Sequence, residues 1–327
     1  MAELAQRSAE LIRAAGLDPA ALTWLPGDAS ARRYGRVRGS GLLLMEDPGD
    51  PEGFDAFVQL SAHLRRLGFR APAVAAADQP ARIALIEDFG DDTFTRLLAA
   101  GADEHALYAL AVDTLARLHA APEAAEVAVP QMDAARLAAD VALFAEWYVP
   151  AAGGRADADW TDSVARAWAD LLAPVDGAPQ TLVLRDYHVD NLMRLADGDC
   201  GILDFQLAFR GPPEYDLVSL LQDARRDLSP GLEEAMLRRY RGGAGEPASE
   251  TRYWALAAQR HARIAAVFVR LARRNDKRGY LRHLPRVMAH LGRSLARPEG
   301  AGLSALLAAA LGPDWTRVPA VLALAPE

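Results

Sequence analysis

The spacing of apolar residues along the chain predicts a small β-rich N-terminal part and a mainly helical remainder. Short apolar segments separated by turns predict strands, and apolar residues at intervals of three and four predict amphipathic helices. Near the N-terminus the predicted strands are 23–25, 34–37, 42–46 and 83–86, and the predicted helices are 3–15 and 54–67. Further along, the same pattern predicts helices at 104–119, 132–149, 215–225, 253–274, 284–295 and 303–311.

No apolar segment in the sequence is long enough to cross a membrane, since a spanning helix needs about 18 or more mostly uncharged apolar residues. The N-terminal sequence from Met1 to Ser8 also lacks the apolar segment of a signal peptide. We therefore expect a cytoplasmic protein.

Two short apolar segments on either side of Asp197-Gly198 predict a β-hairpin in the middle of the chain. Asp-Gly favours a two-residue turn, because both central residues of that turn need positive φ. With Asp197 and Gly198 as the turn, the register places Asn191 opposite Asp204, with Cβ atoms roughly 5 Å apart. One amide and one carboxylate are therefore expected to face the same point.

These side chains suit a phosphoryl-transfer centre. Mg²⁺ prefers oxygen ligands from one or two carboxylates together with substrate phosphates, and Asn191 and Asp204 can supply the protein's share. Asp186 lies in the loop that leads into the hairpin. There it is placed to orient a substrate hydroxyl and to accept its proton.

Composition narrows the classes of partner. With 51% hydrophobic residues the 327-residue chain has ample material for a buried core, and its net charge of −8 gives no basic surface for nucleic acid or anionic membranes. A small-molecule substrate fits better, and no obligate protein partner is evident. Cys200 is the only cysteine in the sequence, which excludes an internal disulfide framework and indicates a small strand residue.

The sequence contains a single lysine, Lys277. A phosphate-binding loop of the Gly-Lys-Ser/Thr type is therefore excluded. Arginine must supply the cations for phosphate chemistry.

The residues from Arg185 to Asn191, together with Asp204, resemble the catalytic and metal-binding loops of protein-kinase-like folds. The Asp-x-His-x-x-Asn spacing is similar to that of the aminoglycoside phosphotransferase and choline kinase superfamily. This chain has Leu184 where that superfamily usually has a His. The resemblance is closer to its bacterial anomeric kinases of N-acetylmuramate and N-acetylglucosamine, which act in cell-wall recycling. It extends over nearly the whole chain and rests on segments 27–34, 186–191, 215–225 and 280–286.

The resemblance implies an α+β, two-lobed protein-kinase-like fold. A β-rich nucleotide-binding lobe would span 1–90, and a mainly helical catalytic and substrate-binding lobe would span 91–327. The implied reaction is ATP- and Mg²⁺-dependent phosphorylation of an amino-sugar hydroxyl, at the anomeric position of N-acetylmuramate or N-acetylglucosamine, in peptidoglycan recycling. Asp186 would be the catalytic residue, and Asn191 and Asp204 would bind the metal.

The nucleotide-binding candidates come from the first 90 residues. Ser30 belongs to the Gly27–Ser30 segment, whose small residues suit a loop that covers phosphates. The strand at 42–46 lacks the lysine expected there, so Arg32 and Arg33 are candidates for the missing phosphate-binding cation. Glu87, Asp88 and Phe89 correspond to the hinge that holds adenine through main-chain groups.

Five residues are candidates for binding the acceptor: His188, Glu146, Trp147, Asp223 and Arg225. A Trp beside an acid, as at Glu146-Trp147, is able to stack on a sugar and hydrogen-bond to it. On a continuous helix over 215–225, Arg225 is turned away from the side that carries Asp223, so those two are not expected to act together.

Two alternatives to the sugar kinase remain open. The same chemistry could serve an aminoglycoside or choline, although the basic C-terminal third disfavours a polycationic drug. The missing strand lysine and the Leu184 replacement would also suit an inactive nucleotide-binding module. The presence of Asp186, Asn191 and Asp204 argues against that second alternative.

Overall fold

The structure is a computed structural model that describes residues 2–26, 32–243 and 249–324. The chain divides into two compact units, the first formed by Met1–Val129 with Leu184–Ala208 and the second by Pro130–Val183 with Phe209–Glu327. The lobe boundary expected at residue 90 stays a prediction.

The described residues form nine strands. They are β1 Leu22–Trp24, β2 Arg33–Val37, β3 Leu42–Glu46, β4 Val74–Asp78, β5 Ile83–Glu87, β6 Thr181–Val183, β7 Leu192–Arg194, β8 Cys200–Ile202 and β9 Phe209–Gly211.

The same residues form thirteen α-helical segments. They are α1 Ala2–Ala14, α2 Pro51–Arg66, α3 Phe94–Ala99, α4 Glu104–Ala120, α5 Ala134–Leu143, α6 Val149–Ala151, α7 Ala158–Leu172, α8 Glu214–Leu221, α9 Leu232–Gly243, α10 Glu250–Asn275, α11 Leu284–Leu295, α12 Ala301–Leu311 and α13 Pro319–Leu322. The sheet near the N-terminus and the helical remainder confirm the predicted α+β class.

The first unit is built on a five-stranded antiparallel sheet in the order β1-β2-β3-β5-β4. Its core forms because apolar side chains of the sheet and of α1 are removed from water together: Ile12, Val37, Leu44 and Leu85 are at most 1% exposed. Helix α1 is also attached to the sheet by a hydrogen bond from the Ser8 hydroxyl to Glu46 Oε1, 2.7 Å.

Most long helices begin at a side chain that caps free main-chain N–H groups. The carboxylates of Asp50, Asp103, Asp133 and Asp157 accept such bonds at the starts of α2, α4, α5 and α7. An aspartate in this position satisfies a donor that has no partner within the helix and also favours the positive end of the helix dipole. The starts of these helices are therefore encoded locally.

The second unit is organised around the 26-residue helix α10, which packs against α5, α8 and α11. Its alanines are buried from Ala255 to Ala272, which lets the neighbouring helices approach closely. Strands β6 and β9 pair antiparallel, with Leu182 opposite Arg210.

The helix predicted over 132–149 is not continuous. Helix α5 ends at Leu143, and Phe144–Tyr148 forms a π-helical turn before α6. The rings of Phe144 and Tyr148 stack with centroids 4.6 Å apart, and both residues are buried. A π turn inserts an extra residue into a helix, which spacing along the sequence alone does not reveal.

The hairpin has a different turn from the predicted one. Leu192 pairs with Ile202 and Arg194 with Cys200, and the Leu195 N–H donates to Asp199 O at 3.0 Å, which leaves three residues, 196–198, in the loop. Among these three loop residues, only Gly198 has a positive φ, +92°. The prediction of a two-residue Asp197-Gly198 turn was wrong, because Asp-Gly also suits a three-residue turn with glycine in its last position.

Two further sequence inferences are tested by the fold. No helix among the described residues is long and apolar enough to span a membrane. Cys200 is buried in β8, and burial raises the pKa of its thiol to about 12. It is therefore a structural residue and not a nucleophile at neutral pH.

The hairpin turn gives a test of stability. Gly198→Ala should lower the free energy of unfolding by about 1 kcal/mol, because an L-residue is strained at this positive φ. The added Cβ meets only Arg194, at 3.6 Å, so crowding adds nothing. Gly177→Ala is the matched control, since a Cβ there meets no atom within 4 Å and needs no positive φ. Thermal unfolding of both variants should separate them, and equal midpoints would contradict the assigned turn.

Candidate active site

The catalytic-loop candidate, 184–191, is held by its own main chain. The Asp186 N–H donates to Leu184 O at 2.9 Å, and the Asn191 N–H donates to His188 O at 2.8 Å, which closes the short 3₁₀ turn Val189–Asn191. Arg185 adopts positive φ, 71°. These bonds fix the direction of the loop on both sides of the Asp186 carboxylate.

Buried side chains anchor the same loop to the first unit. Tyr187 is 1% exposed, and its hydroxyl donates to Ala111 O on α4 at 2.9 Å. Val189 is also buried, and the Asp190 carboxylate accepts a hydrogen bond from the Thr95 hydroxyl on α3. Alternate residues of the loop are thus fixed inward, while Asp186 and Asn191 stay partly exposed.

Asn191 and Asp204 converge, although not by the predicted register. In the observed hairpin Asn191 faces Leu203, whose N–H donates to Asn191 O at 2.9 Å. Asp204 comes one residue later with φ of 57°, and this left-handed turn returns its carboxylate toward Asn191. The Asn191 Nδ2 atom lies 2.9 Å from Asp186 O and 3.4 Å from Asp204 Oδ2.

Packing behind Asp204 fixes its position. Phe205 is fully buried and stacks on Phe57 of α2, with ring centroids 5.1 Å apart and an interplanar angle of 12°. Gln206 donates to Asp204 Oδ1 at 2.8 Å. The exposed carboxylate is therefore carried on a segment that cannot rotate freely.

The donor set fits Mg²⁺. The Asn191 amide group lies beside the Asp204 carboxylate, and Mg²⁺ accepts one or two protein ligands when phosphates and water complete its octahedron. No cluster of three or more His, Cys, Asp or Glu side chains that would suit a tightly held metal occurs within the described ranges.

His188 lies beside the metal candidates. It is 6% exposed, and its Nε2 atom is 3.5 Å from Asn191 Nδ2. This contact places it in the same group as Asp186, Asn191 and Asp204. Its assignment to the acceptor stays a prediction.

The two candidates for the phosphate-binding cation have opposite environments. Arg32 is 7% exposed, with Nε and a terminal nitrogen 2.9 and 2.7 Å from Asp47 Oδ2. Its guanidinium lies 5.7 Å from the centre of the Phe57 ring. Arg33 is half exposed and lies 4.0 Å from the centre of the Trp24 ring. Ser30 and the rest of the predicted phosphate-covering loop lie outside the described residues.

Two partners of Arg32 were missed by sequence reasoning. Burial lowers the pKa of Arg32, but the Tyr34 hydroxyl and Asp47 outweigh that effect and the net pKa is raised. Asp204 in turn is close enough to raise the pKa of Tyr34, whose largest shift comes from burial. Arg32, Tyr34 and Asp204 therefore share one electrostatic environment. The sequence did contain a signal for one of these partners, since Asp47 directly follows the strand at 42–46 that lacks a lysine.

The hinge candidates use their side chains to hold the main chain. Glu87 accepts bonds from Arg65 at 3.0 Å and from the Ala73 N–H at 3.1 Å. Asp88 is paired with Arg36 at 2.5 Å, and that arginine also contacts Asp91 and holds the pKa of the Asp91 carboxyl below its usual range. These side chains therefore have structural partners, and nucleotide binding through the main chain here stays a prediction.

Phe89, the third hinge candidate, packs on the hairpin. A Cβ placed on Gly201 would lie 2.9 Å from Phe89 Cδ2. A glycine is thus required in β8 for the ring to approach. This contact fixes the hinge segment against the strands that carry Asn191 and Asp204.

The remaining acceptor candidates lie in the second unit. Glu146 and Trp147 belong to the π-helical turn, where Glu146 is exposed and Trp147 is partly buried. π turns inside helices occur often at functional sites. No contact of these two side chains tests their predicted role.

Asp223 and Arg225 are brought together, contrary to the geometry expected from a continuous helix. Helix α8 ends at Leu221, before the predicted end at Arg225. Asp223 Oδ1 accepts from the Arg225 N–H at 3.1 Å and from its guanidinium at 3.3 Å. The expectation that Arg225 is turned away from Asp223 was wrong, because the chain leaves the helix before these residues.

Residues 22–252 match the phosphotransferase enzyme family, a segment that includes every candidate described above. The chain belongs to this family. Its phosphotransferase relatives include N-acetylmuramate/N-acetylglucosamine kinases from Caulobacter vibrioides, 37% identical over 77% of this chain and 73% of the relative, and from Pseudomonas putida, 32% identical over 88% and 87%. The kinase of the same name from Neisseria meningitidis is 32% identical over 90% and 91%.

Solved structures with the same fold include the aminoglycoside phosphotransferase APH(2'')-Ib with bound ADP, with a TM-score of 0.63 over 92% of this chain and 98% of that one, at 16% identity. The choline kinase LicA from Streptococcus pneumoniae gives a TM-score of 0.60 over 87% and 93%, at 13% identity. These structures confirm the predicted protein-kinase-like fold, and the family match together with the related kinases confirms the predicted superfamily.

Variants of Arg32 and Arg33 test which arginine replaces the lysine that is absent from the strand at 42–46. We expect the double variant Arg32→Met/Asp47→Leu to fold but to lose about 30-fold in kcat/KM for the expected nucleotide, ATP. Removing both charges avoids a single buried charge, which would cost about 3 to 5 kcal/mol of stability. A charge-assisted phosphate contact contributes about 2 kcal/mol. Initial rates at varied ATP, with thermal unfolding as a check of folding, give the measurement.

Arg33→Ala is the control for this double variant. Its side chain is exposed against Trp24, so its loss should change kcat/KM for ATP by less than about 3-fold. The opposite order of effects would move the cation from Arg32 to Arg33. Wild-type kinetics in both variants would exclude either arginine.

Asp204→Ala tests the metal site. The variant should bind ATP with an affinity that no longer depends on Mg²⁺, because Asn191 alone provides too few protein ligands. Titration of nucleotide with and without Mg²⁺ measures this. Asp199→Ala, an exposed aspartate of the same hairpin, should keep the Mg²⁺ dependence. An unchanged Mg²⁺ effect in Asp204→Ala would remove Asp204 from the metal site.

Proposed function

We propose that this phosphotransferase transfers the γ-phosphoryl group of ATP, with Mg²⁺, to a hydroxyl of an amino sugar. The acceptor we propose is the anomeric hydroxyl of N-acetylmuramate or N-acetylglucosamine, in the cytoplasm, as a step in peptidoglycan recycling. The acceptor is supported by four relatives named for those sugars at 32–37% identity.

The observation that carries the reaction type is the convergence at Asn191. Its amide nitrogen is 2.9 Å from the Asp186 carbonyl and 3.4 Å from the Asp204 carboxylate. A loop carboxylate, an amide and a second carboxylate are thereby held in one small region of the first unit. Phosphoryl transfer needs little beyond this, since it depends on positioning and on charge stabilisation.

In the proposed reaction Asp186 orients the sugar hydroxyl and accepts its proton. The hydroxyl oxygen forms a bond to the γ-phosphorus while the bond from that phosphorus to the β–γ bridging oxygen breaks, and ADP leaves. Asn191 and Asp204 would hold Mg²⁺, which supplies charge neutralisation at the phosphate oxygens. Arg32, held by Asp47, provides the fixed positive charge on the nucleotide side.

The direct test is an acceptor panel with purified protein, ATP and Mg²⁺. ADP formation with N-acetylmuramate and N-acetylglucosamine, and its absence with choline and aminoglycosides, is the expected result. Turnover only with choline or an aminoglycoside would replace the proposed acceptor. ATP binding without turnover on any acceptor would identify an inactive binding module instead.

Asp186→Asn tests the catalytic residue. We expect kcat to fall by about 10²-fold or more while Mg-ATP binding is kept, because only proton acceptance and orientation are lost. Asp190→Asn is a nearby control, since that carboxylate bonds to the Thr95 hydroxyl. Loss of nucleotide affinity with normal turnover in Asp186→Asn would contradict the assigned role.

A further inference from the structure

The turn that follows α8 is fixed from three sides within the second unit. The Gln222 side chain donates to Glu233 Oε1 at 2.8 Å and to the Tyr253 hydroxyl at 3.1 Å. The Gln222 carbonyl lies 3.0 Å from His261 Nε2. Glu233 is further held by Arg293 at 2.7 Å. The next residue, Asp223, is therefore presented on a rigid support.

Asp223 itself is only half satisfied. It is 5% exposed, and its Oδ1 atom accepts two bonds from Arg225. Its Oδ2 atom is buried and has no hydrogen-bond partner within the described residues. A buried carboxylate oxygen without a donor is costly, so such an atom in a native structure calls for a partner supplied by a ligand.

The surroundings of Asp223 are positively charged. Arg225 lies on its Oδ1, and the exposed Arg282 donates to His283 Nε2 at 3.2 Å. Burial lowers the pKa of His283, and Arg282, Arg225 and Arg286 lower it further against the opposing effect of Asp223. Arg282, Arg225, Arg286 and Asp223 are therefore all close enough to His283 to influence its pKa.

The other charges in this region are largely paired with each other. Arg286 makes two bonds of 2.6 Å to Asp227 and one of 2.9 Å to Ala224 O, which closes the turn. Arg225 contacts the Asp223 carboxylate, and Arg282 contacts His283. Guanidinium groups at these two positions are suited to bind an anionic group.

Two aromatic rings, the buried Phe268 and the partly exposed Tyr280, lie near His283. Phe268 stacks on Tyr280 with centroids 5.3 Å apart, and His283 lies 6.2 Å from Phe268. Aromatic rings beside a hydroxyl acceptor are suited to the apolar face of a sugar ring.

We propose that Asp223, Arg225 and Arg282 form an acceptor-recognition cluster that selects an amino sugar carrying a carboxylate over a neutral one. Asp223 Oδ2 accepts a hydrogen bond from a sugar hydroxyl, which both kinds of sugar possess. Arg225 and Arg282 bind the carboxylate. The inference rests on the proposed function and deepens it, since N-acetylmuramate carries a lactyl ether carboxylate that N-acetylglucosamine lacks.

The test compares three acceptors with the full-length protein and ATP: N-acetylmuramate, N-acetylglucosamine and the neutral ether 3-O-methyl-N-acetylglucosamine. Arg225→Gln should lower kcat/KM for N-acetylmuramate about 10-fold or more relative to both neutral sugars, because only the charged substituent loses its partner. Asp223→Asn should lower kcat/KM for all three. Arg166→Gln, at an exposed position of α7, removes the same charge elsewhere and should leave the ratio unchanged.

Equal losses on all three sugars in Arg225→Gln would overturn the inference, because Arg225 would then act only through Asp223. Arg282 is exposed, so Arg282→Gln carries the same comparison should Arg225→Gln fail to fold. The neutral ether separates the effect of charge from that of size.

A failure of the proposed function is distinguishable from a failure of this inference. Wild-type protein that phosphorylates both natural sugars equally well, with the same ratio in Arg225→Gln, would leave the kinase standing and remove the selectivity. Wild-type protein without turnover on either sugar would remove the kinase. Calorimetric binding of N-acetylmuramate then decides the inference: weaker binding to Arg225→Gln than to wild type supports it, and equal or absent binding overturns it.

Discussion

The hydrogen bond from the Asn191 amide to the Asp186 carbonyl, 2.9 Å long, is the contact on which the candidate active site depends. Only the amide nitrogen can donate to a carbonyl, so this bond determines which way the Asn191 side chain points. Its oxygen is then left available to a metal, while the nitrogen also lies 3.4 Å from the Asp204 carboxylate. The loop of the proposed base and the pair of proposed metal ligands are thereby one unit of structure.

A second constraint is electrostatic. The sequence contains one lysine, and Arg32 is nearly buried against Asp47. Two interior charges are costly to desolvate, and such a pair is weak evidence for stability. A role in function therefore explains the presence of the buried Arg32–Asp47 pair better than a role in stability does. The shared environment of Arg32, Tyr34 and Asp204 supports phosphate binding as that reason.

The second unit uses hydrogen bonds in a comparable way. Glu233, Tyr253 and His261 hold Gln222, so Asp223 has a fixed position without using its own carboxylate. Burial lowers the pKa of His261 to about 3, and it stays neutral at physiological pH. The support for Asp223 is therefore insensitive to pH in that range.

The sequence alone determined the elements whose signals are local. Apolar spacing predicted α11 over 284–295, as observed, and strand β3 over 42–46, and the Asp-x-His-x-x-Asn spacing led to the superfamily. Capping aspartates mark helix starts because they act on the next turn of the same chain.

Tertiary structure decided the features that depend on distant residues. Asp197-Gly198 is compatible with two turn lengths, and only packing of the hairpin selected the three-residue loop. The early end of α8 brought Asp223 to Arg225, and its cause is the hold of α9 and α10 on Gln222. The partner of Arg32, Asp47, is a further example, since ion pairs form through space and leave no periodic trace in a sequence. The sequence therefore predicted which residues carry chemistry, while the fold decided which of them meet.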